Sequence, residues 1–332
     1  MPATGLDVIG VGNAIVDVIA HADDAFLAAH AIAKGGMTLI DGAAARSIYE
    51  AMAPGVEISG GSAANTIACL ASLGGRGGFI GKVADDTLGE FFRHDLRAAG
   101  VEFDTAPLAG GPATARSLIN VSADAQRSMS TFLGAATELG AADVDERQVA
   151  RAAITYFEGY LFEMPRAREA FVKACRIAAA AGRKTAITLS DSALVDRQHT
   201  AFVEFIGAHV DILLANEAEA NTLFESDRFE TIAERARALC PLTAVTRSEK
   251  GSLLIPRGGD VVEIAAVKPE RLVDTTGAGD AYAAGLLFGL ARGFDLARCG
   301  ALASLAAAEV IGHFGARPEK KLDGLAREAG IL

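Results

Sequence analysis

The sequence lacks any segment that would place it in a membrane. Charged residues interrupt its apolar runs before they reach the roughly 18 residues needed to span a bilayer. The amino-terminal stretch is apolar, but it has no basic leading region and it contains Asp7 and Asp17, so it predicts a first core strand rather than a signal peptide. We therefore expect a cytoplasmic protein with no membrane partner.

Clusters of basic residues are also missing. The 332 residues include 42 Asp and Glu against 31 Lys and Arg, which gives a formal net charge of −11. Nucleic-acid and anionic-membrane surfaces need clustered positive charge, so neither is an expected partner. A small polyphosphate is not excluded, because a few local cations and helix ends can hold one on an acidic protein.

Cysteine is scarce and never closely spaced. The chain has four cysteines, Cys69, Cys175, Cys240 and Cys299, and no pair has the spacing of a zinc or redox CxxC site. They are interpreted as buried thiols in a reducing compartment.

From about residue 60 onward, short β-branched runs alternate with Ala-rich helical patterns. This alternation predicts an α/β fold with a mostly parallel sheet flanked by helices. Two long apolar helices, 278–292 and 296–311, close a single domain that spans residues 1–332. The predicted strands are 79–83, 154–157, 185–189, 212–215 and 242–246, and the helices between them include 62–73, 88–98, 166–181 and 231–239.

Two segments break this alternation, residues 13–40 and 105–135. The second contains β-rich pieces at 114–121 and 128–133 around a turn near residue 124. We expect both segments to form a small β-rich lid beside the sheet. No Pro- or Ser-rich linker flanks them, so the lid is predicted to be an insertion rather than a tethered domain.

The strongest chemical signal is the run from Asp274 to Asp280, DTTGAGD, at the start of a long helical pattern. Gly277 and Gly279 allow close backbone approach, and the helix start around Ala278 gathers amide N–H groups and the positive end of the dipole. Such a site suits the charge that develops on a transferring phosphoryl group. Asp280, in the first helical turn, is positioned to accept a proton from an attacking alcohol.

A second signal is the run from Gly60 to Asn65, GGSAAN, which leads into another helix. The glycine pair, including Gly61, lets main-chain N–H groups approach substrate hydroxyls. Asn65 lies one turn further on and directs a donor and an acceptor toward the same place. A tight turn with a serine cap remains an alternative for this segment.

Together these motifs resemble the ribokinase-like superfamily, also called the PfkB carbohydrate kinase family. GGSAANTIACLASLG resembles its amino-terminal signature, DTTGAGDAYAAGLL its carboxy-terminal one, and GKVADDTLGEFFRHDLRAAGV the strand–helix–turn between them. The resemblance covers the chain from Asp7 to about Pro318. It implies a ribokinase-like fold and an ATP- and Mg²⁺-dependent phosphotransferase with an alcohol acceptor.

The resemblance also implies roles for individual residues. Asp280 matches the catalytic base, and Gly277, Ala278 and Gly279 match the anion hole. Asn216 and Glu219, in NEAE, match an NxxE motif in which the asparagine lies near the phosphates and the glutamate organises Mg²⁺ through water. Thr246 and Gly251, in TRSEKG, match a TxGxxG segment that lines the nucleotide, although Ser248 stands where the family usually has glycine.

The acceptor is suggested by the first motif of the chain, GNAIVD. Asn13 and Asp17 are four residues apart, as in the GN-x-x-x-D of adenosine kinases and unlike the N-x-D of ribokinases. The resemblance implies that Asp17 binds ribose hydroxyls while Gly61 and Asn65 hold the neighbouring edge, and a carboxylate is a sound partner for two hydroxyl protons. Arg127, beside the lid turn, matches a basic residue that reaches the transferred phosphate, or is a plain surface arginine.

Apolar residues for a purine are harder to identify from the sequence. Tyr160, Leu161 and Phe162 follow a core strand at the sheet edge where open α/β sheets bind ligands, and Phe132 lies in the lid segment. Core packing explains the same residues. We predict Leu161 as a substrate contact.

These observations favour phosphorylation of a ribonucleoside at its 5′-hydroxyl, with adenosine giving AMP. A PfkB-type sugar kinase acting on ribose or fructose stays open, as does an inactive nucleoside-binding module. A Rossmann dehydrogenase is rejected because Ile15 stands where the third glycine belongs, and a P-loop kinase because GxxxxGK[ST] is absent. The need for a monovalent cation, and the choice between monomer and homodimer, remain open.

Overall fold

The structure is a computed structural model that describes residues 5–124 and 126–332. Residues 1–4 and 125, which fall within the predicted domain and the second predicted lid segment, lie outside the described residues. Within the described part of the chain, no helix is both long and apolar enough to cross a membrane.

Fourteen strands and thirteen α-helices make up the described fold. The strands are β1 Leu6–Val11, β2 Ile15–His21, β3 Met37–Leu39, β4 Val56–Gly60, β5 Gly77–Ile80, β6 Glu102–Phe103, β7 Ala115–Val121, β8 Arg127–Phe132, β9 Ala152–Glu158, β10 Lys184–Thr188, β11 Ile212–Asn216, β12 Leu242–Thr246, β13 Ser252–Pro256 and β14 Val262–Ile264. The helices are α1 Asp24–Ala29, α2 Gly42–Ala51, α3 Ser62–Ser72, α4 Thr87–Ala98, α5 Glu146–Arg151, α6 Pro165–Ala180, α7 Ser192–Arg197, α8 His199–His209, α9 Glu217–Leu223, α10 Phe229–Leu239, α11 Ala278–Ala291, α12 Leu296–Val310 and α13 Leu322–Glu328.

The larger sheet has nine strands in the order β14-β13-β12-β11-β10-β9-β1-β5-β6. The strands from β12 to β6 are all parallel, and β13 and β14 extend the sheet through antiparallel pairs. The mostly parallel sheet is therefore as predicted. The strand order reverses between β1 and β9, and ligands of open α/β sheets bind at the carboxyl ends of strands beside such a reversal.

Helices cover both faces of this sheet, and strand β9 shows why. Its side chains alternate between the faces: Ile154 and Tyr156 join a core that includes Ile67 of α3 and Leu286 of α11. Phe157 points the other way, into a core with Phe171 of α6. A strand apolar on both faces must be buried on both faces, which is the pattern of a central parallel strand.

The two predicted lid segments contribute strands to a second sheet, in the order β3-β8-β7-β2-β4. The β7–β8 hairpin agrees with the predicted pieces 114–121 and 128–133. Strand β4 was not predicted; it pairs antiparallel with β2 and runs directly into Gly61 and helix α3. The second sheet is thus joined to the motif at the start of α3.

Candidate active site

The run from Asp274 to Asp280 forms the turn that begins helix α11. Gly277 is the residue before the helix and adopts a left-handed conformation, with φ of 79°. A Cβ atom on Gly277 would lie 2.5 Å from the Cα of Ala316, so only glycine is accommodated there. Gly279 borders open space, whereas the amide of Ala278 donates a 3.2 Å hydrogen bond to the carbonyl of Thr275. The exposed side of this helix start can accept an anion.

Asp280 lies in the first turn of α11 and faces helix α3. Its Oδ1 accepts a 2.6 Å hydrogen bond from the hydroxyl of Ser62, and its Oδ2 accepts a 3.3 Å bond from Nδ2 of Asn65. Burial raises the pKa of Asp280 to about 6, while the two donated hydrogen bonds act in the opposite direction. The carboxyl group is therefore mainly ionised at neutral pH and able to accept a proton.

Asn13 contacts Glu158, a site residue that was not predicted from the sequence, and Gly61 contacts the backbone of Asn13. Glu158 ends β9, where the strand order reverses, and its Oε1 accepts hydrogen bonds from the amide N, at 2.9 Å, and from Nδ2 of Asn13. Its Oε2 accepts a 2.9 Å bond from the amide of Ala63 in helix α3. Gly61 has φ of 95° and approaches the carbonyl of Asn13 too closely for any side chain. Asn13 is thus bound to Glu158.

Burial raises the pKa of Glu158 to about 7, whereas the three hydrogen bonds donated to it act to lower that pKa. A carboxylate at the end of a central strand was visible in the sequence, and that position is the signal that could have identified it.

Asp17 lies on β2 in the second sheet, opposite Ser117 of β7. Burial raises its pKa to about 6; Arg317 and Arg127 favour the ionised form, and Asp280 opposes it. The Asp17 carboxylate lies against Gly60, where an added Cβ would be 2.3 Å from its Oδ2, and Ser62 and Asn65 of the helix that follows bind Asp280 and Arg317. The two carboxylates and the two arginines therefore border one cleft between the sheets. The structure therefore brings Asp17, Asn65, Asp280 and Arg127 together.

Arg127 is not a plain surface arginine. Its Nη1 forms an ion pair with Asp274 and donates a 3.1 Å hydrogen bond to Oγ1 of Thr276. The side chain is 14% exposed. It therefore connects β8 of the second sheet to the turn before α11.

The face of the second sheet that carries Asp17 is partly apolar. Side chains alternate across a strand, so Ile15 and Ile19 share the face of Asp17, and Met129 shares the face of Arg127 and Thr131. The register pairs Asp17 with Ser117 and Ser117 with Thr131, which makes this one face. The sequence analysis did not identify these apolar residues, because their shared face depends on which strands pair.

Two other apolar candidates lie elsewhere. Leu161 is 1% exposed and packs in the core with Phe171, so packing accounts for its position in this structure. Phe132 follows Thr131 and therefore points to the opposite face, where its ring lies against Gly42 at the start of α2. The lid aromatic suggested by the sequence is thus directed away from Asp17.

Asn216 and Glu219 form a reciprocal cap at the start of α9. Asn216 accepts from the amide of Glu219 and donates from Nδ2 to Oε1 at 2.7 Å, while the amide of Asn216 donates to Oε2 at 2.9 Å. Burial, together with the charge of Asp191, raises the pKa of Glu219. Both residues are thus already hydrogen-bonded to each other, beside Thr246, which pairs with Asn216 across β11 and β12.

Glu219, with the charge of Asp191 nearby, offers a magnesium ion one or two carboxylates rather than a cage. No group of three or more His, Cys, Asp or Glu side chains within residues 5–124 and 126–332 could hold a metal. Mg²⁺ commonly keeps several waters and binds through one or two carboxylates and the phosphates of its substrate. The carboxylate of Glu219 fits that mode and would be the residue that helps to hold the ion.

The turn between β12 and β13 contains the unusual Ser248. Its φ of 52° is in the left-handed region that favours glycine. The turn is closed by a 2.8 Å hydrogen bond from the amide of Arg247 to the carbonyl of Gly251. Serine at this position therefore keeps the backbone conformation that glycine would adopt.

Comparisons with known proteins agree with this geometry. The model of the pfkB family of carbohydrate kinases matches residues 51–322. An adenosine kinase structure from Sinorhizobium meliloti is 51% identical and covers 98% of this chain and 100% of its own, with a TM-score of 0.90. A probable sugar kinase protein from Rhizobium etli CFN 42 is 46% identical and covers 99% and 100%, with a TM-score of 0.91.

A curated relative is more distant. The aminoimidazole riboside kinase of Salmonella typhimurium LT2 is 28% identical over 237 residues, which are 70% of this chain and 74% of that protein. The family resemblance and the ribokinase-like α/β fold inferred from the sequence are both confirmed by these matches.

Proposed function

The chain belongs to the pfkB family of carbohydrate kinases, which makes it a phosphotransferase with an alcohol acceptor, and we propose that it phosphorylates the 5′-hydroxyl of a ribonucleoside, with adenosine as the first candidate. One observation carries the proposal: Asp17, a partner for sugar hydroxyls, lies on a sheet face beside the apolar side chains of Ile15, Ile19 and Met129. A free sugar has no group to cover such a surface, whereas a nucleobase has. The names of the Sinorhizobium and Salmonella relatives, an adenosine kinase and a riboside kinase, support the same class of acceptor.

The mechanism follows from positioning and charge. Asp280 accepts the proton of the attacking hydroxyl, and the ionised carboxylate is kept in place by Ser62 and Asn65. The helix start at Gly277 and Gly279, with Arg127 beside it, stabilises negative charge on the transferred phosphoryl group. Glu219 would help to hold Mg²⁺ through water, and the bound ion would supply charge neutralisation at the phosphates of ATP.

A panel of acceptors tests the proposal. Adenosine, 2′-deoxyadenosine, inosine, ribose and fructose are supplied with ATP and Mg²⁺, and product formation gives kcat/KM for each. Removing one ribose hydroxyl leaves a buried polar group unpaired, which costs about 1–3 kcal/mol, so kcat/KM for adenosine should exceed that for 2′-deoxyadenosine by about 5- to 150-fold.

The Asp17→Ala variant should lose most of that discrimination. The matched control is Glu57→Ala, because Glu57 lies on the neighbouring strand β4 and accepts a 2.9 Å hydrogen bond from Tyr49 of α2, away from Asp17. A free sugar that outperforms every nucleoside would replace the proposal with the sugar-kinase alternative. Absence of any acceptor-dependent ATP turnover would favour an inactive nucleoside-binding module.

A further inference from the structure

Arg317 enters the cleft from the segment that follows helix α12. The amide of Gly315 donates a 3.3 Å hydrogen bond to Oδ2 of Asp274, and the Cα of Ala316 occupies the space beside Gly277. The carbonyl of Ala316 lies 3.9 Å from Sγ of Cys69 on α3. This segment therefore packs across both the turn before α11 and helix α3, and it delivers the Arg317 side chain between them.

The guanidinium group of Arg317 joins two elements of the cleft. Its Nε donates a 3.2 Å hydrogen bond to Oδ1 of Asn65, and its Nη1 donates a 3.1 Å bond to Oδ2 of Asp95 on α4. Its Nη2 is buried and has no hydrogen-bond partner among the described residues. The side chain is 16% exposed, so most of this charge is withdrawn from water.

These contacts determine which way the Asn65 amide points. Arginine carries only donors, so Arg317 must meet the oxygen of the amide. The nitrogen is then turned to Asp280, where Nδ2 lies 3.3 Å from Oδ2. In the opposite orientation, the amide oxygen would face the carboxylate, and the amide nitrogen would face the guanidinium. Both of those contacts are unfavourable.

The same guanidinium connects the second sheet to the cleft. Oδ2 of Asp95 also accepts a 3.1 Å hydrogen bond from the amide of Ser59 and a bond from its hydroxyl. Ser59 lies on β4 and pairs with Val16, the neighbour of Asp17 on β2. Arg317 also attracts the Asp17 carboxylate electrostatically. Arg317 therefore fixes Asn65 by a direct hydrogen bond. It also holds the strands around Asp17, because it binds Asp95, which in turn binds Ser59 of β4.

We propose that Arg317 is a positioning residue for the sugar end of the acceptor. Arg317 fixes the orientation of the Asn65 amide and holds Asp17 in a constant position relative to that amide. This inference rests on the proposed function. A buried arginine is a costly way to hold a structure together, because an apolar side chain of similar volume is often as stabilising. Its placement among Asp17, Asn65 and Asp95 is explained by the need to orient polar groups that face a polar ligand.

The test compares Arg317→Met and Arg317→Lys with wild type. In Arg317→Met, we expect KM for adenosine to rise at least about tenfold and the preference over 2′-deoxyadenosine to fall to within about threefold, with KM for ATP changed less than about twofold. Lysine keeps the charge but lacks the planar group whose two nitrogens bind Asn65 and Asp95 in a fixed geometry. Arg317→Lys should therefore recover only part of the loss.

The matched control is Arg292→Met. Arg292 donates from Nη2 to Asp7 at 3.0 Å and to the carbonyl of Gly74 at 3.3 Å, which are structural contacts at the opposite end of α11. This variant should lower the unfolding temperature and leave both KM values near wild type. The inference is overturned if the folded Arg317 variants keep the wild-type KM and ribose preference, or if KM for ATP rises in parallel. A wild-type protein that prefers free sugars would instead refute the proposed function.

Discussion

At the scale of single residues, the environment of Asp280 predicts how activity depends on pH. A general base works only when it is deprotonated, so kcat/KM should fall as the pH drops below about 6, the pKa of Asp280 and also of Asp17. The two groups can be told apart, because Ser62 donates a hydrogen bond to Asp280 and not to Asp17. Ser62→Ala removes a donor that stabilises the ionised form, which raises the pKa of Asp280 and should move the acid limb upward by about one pH unit.

The measurement is kcat/KM between pH 5 and 9 for wild type and Ser62→Ala, and an unmoved acid limb in the variant would contradict the prediction. Asp280→Asn is the control for the base itself. It should lower kcat by about 10²–10⁴-fold while substrate binding persists. A variant that keeps more than about a tenth of wild-type turnover would show that another group accepts the proton.

At the scale of one structural element, the turn between β12 and β13 stores backbone strain at Ser248. A non-glycine residue in the left-handed region costs about 1–2 kcal/mol of folding free energy, which glycine avoids. Glycine in turn loses more chain entropy on folding, which offsets about 0.5–1 kcal/mol of that gain. Ser248→Gly should therefore increase the free energy of unfolding by up to about 1 kcal/mol. Denaturant unfolding measures the change, and Ser248→Ala, which keeps the strain, should show no such gain. Equal stabilisation by alanine would point to the side chain instead.

The elements themselves were predictable where their signal is local. The predicted strand 242–246 coincides with β12, and 154–157 lies inside β9. Strands β13 and β14 at the sheet edge were not predicted, and neither was β4. Length alone does not explain this, since β12 also has five residues. Strand β14 has only three, and β4 and β14 lie at the edges of their sheets, where pairing rather than a local apolar pattern defines a strand.

At the scale of the whole molecule, the second sheet approaches the cleft through Asp17, Arg127 and the Ser59–Asp95 link. If this sheet closes over the acceptor, saturating adenosine should slow amide hydrogen exchange in residues 13–40 and 105–135. ATP hydrolysis without an acceptor should stay low, because the catalytic groups are brought together only when the sheet closes over the acceptor. Peptides from β13 and β14, at the far edge of the large sheet, provide the internal control. If both segments exchange at the same rate with and without adenosine, the second sheet does not close over the acceptor.

The sequence by itself determined the class of the fold, and it supplied the residues proposed for the phosphoryl site. DTTGAGD and GGSAAN identify Asp280, Asn65 and the glycines because helix starts and left-handed glycines are decided by neighbours in the chain. Tertiary structure decided which of these groups meet. Asn65 contacts Asp280 across 215 positions and Arg317 across 252, and no local pattern encodes such a contact. Strand register decided that Ile19 and Met129, rather than Phe132, share the face of Asp17. Burial then raised the pKa of Asp17, Glu158 and Asp280, because only packing removes a carboxyl group from water.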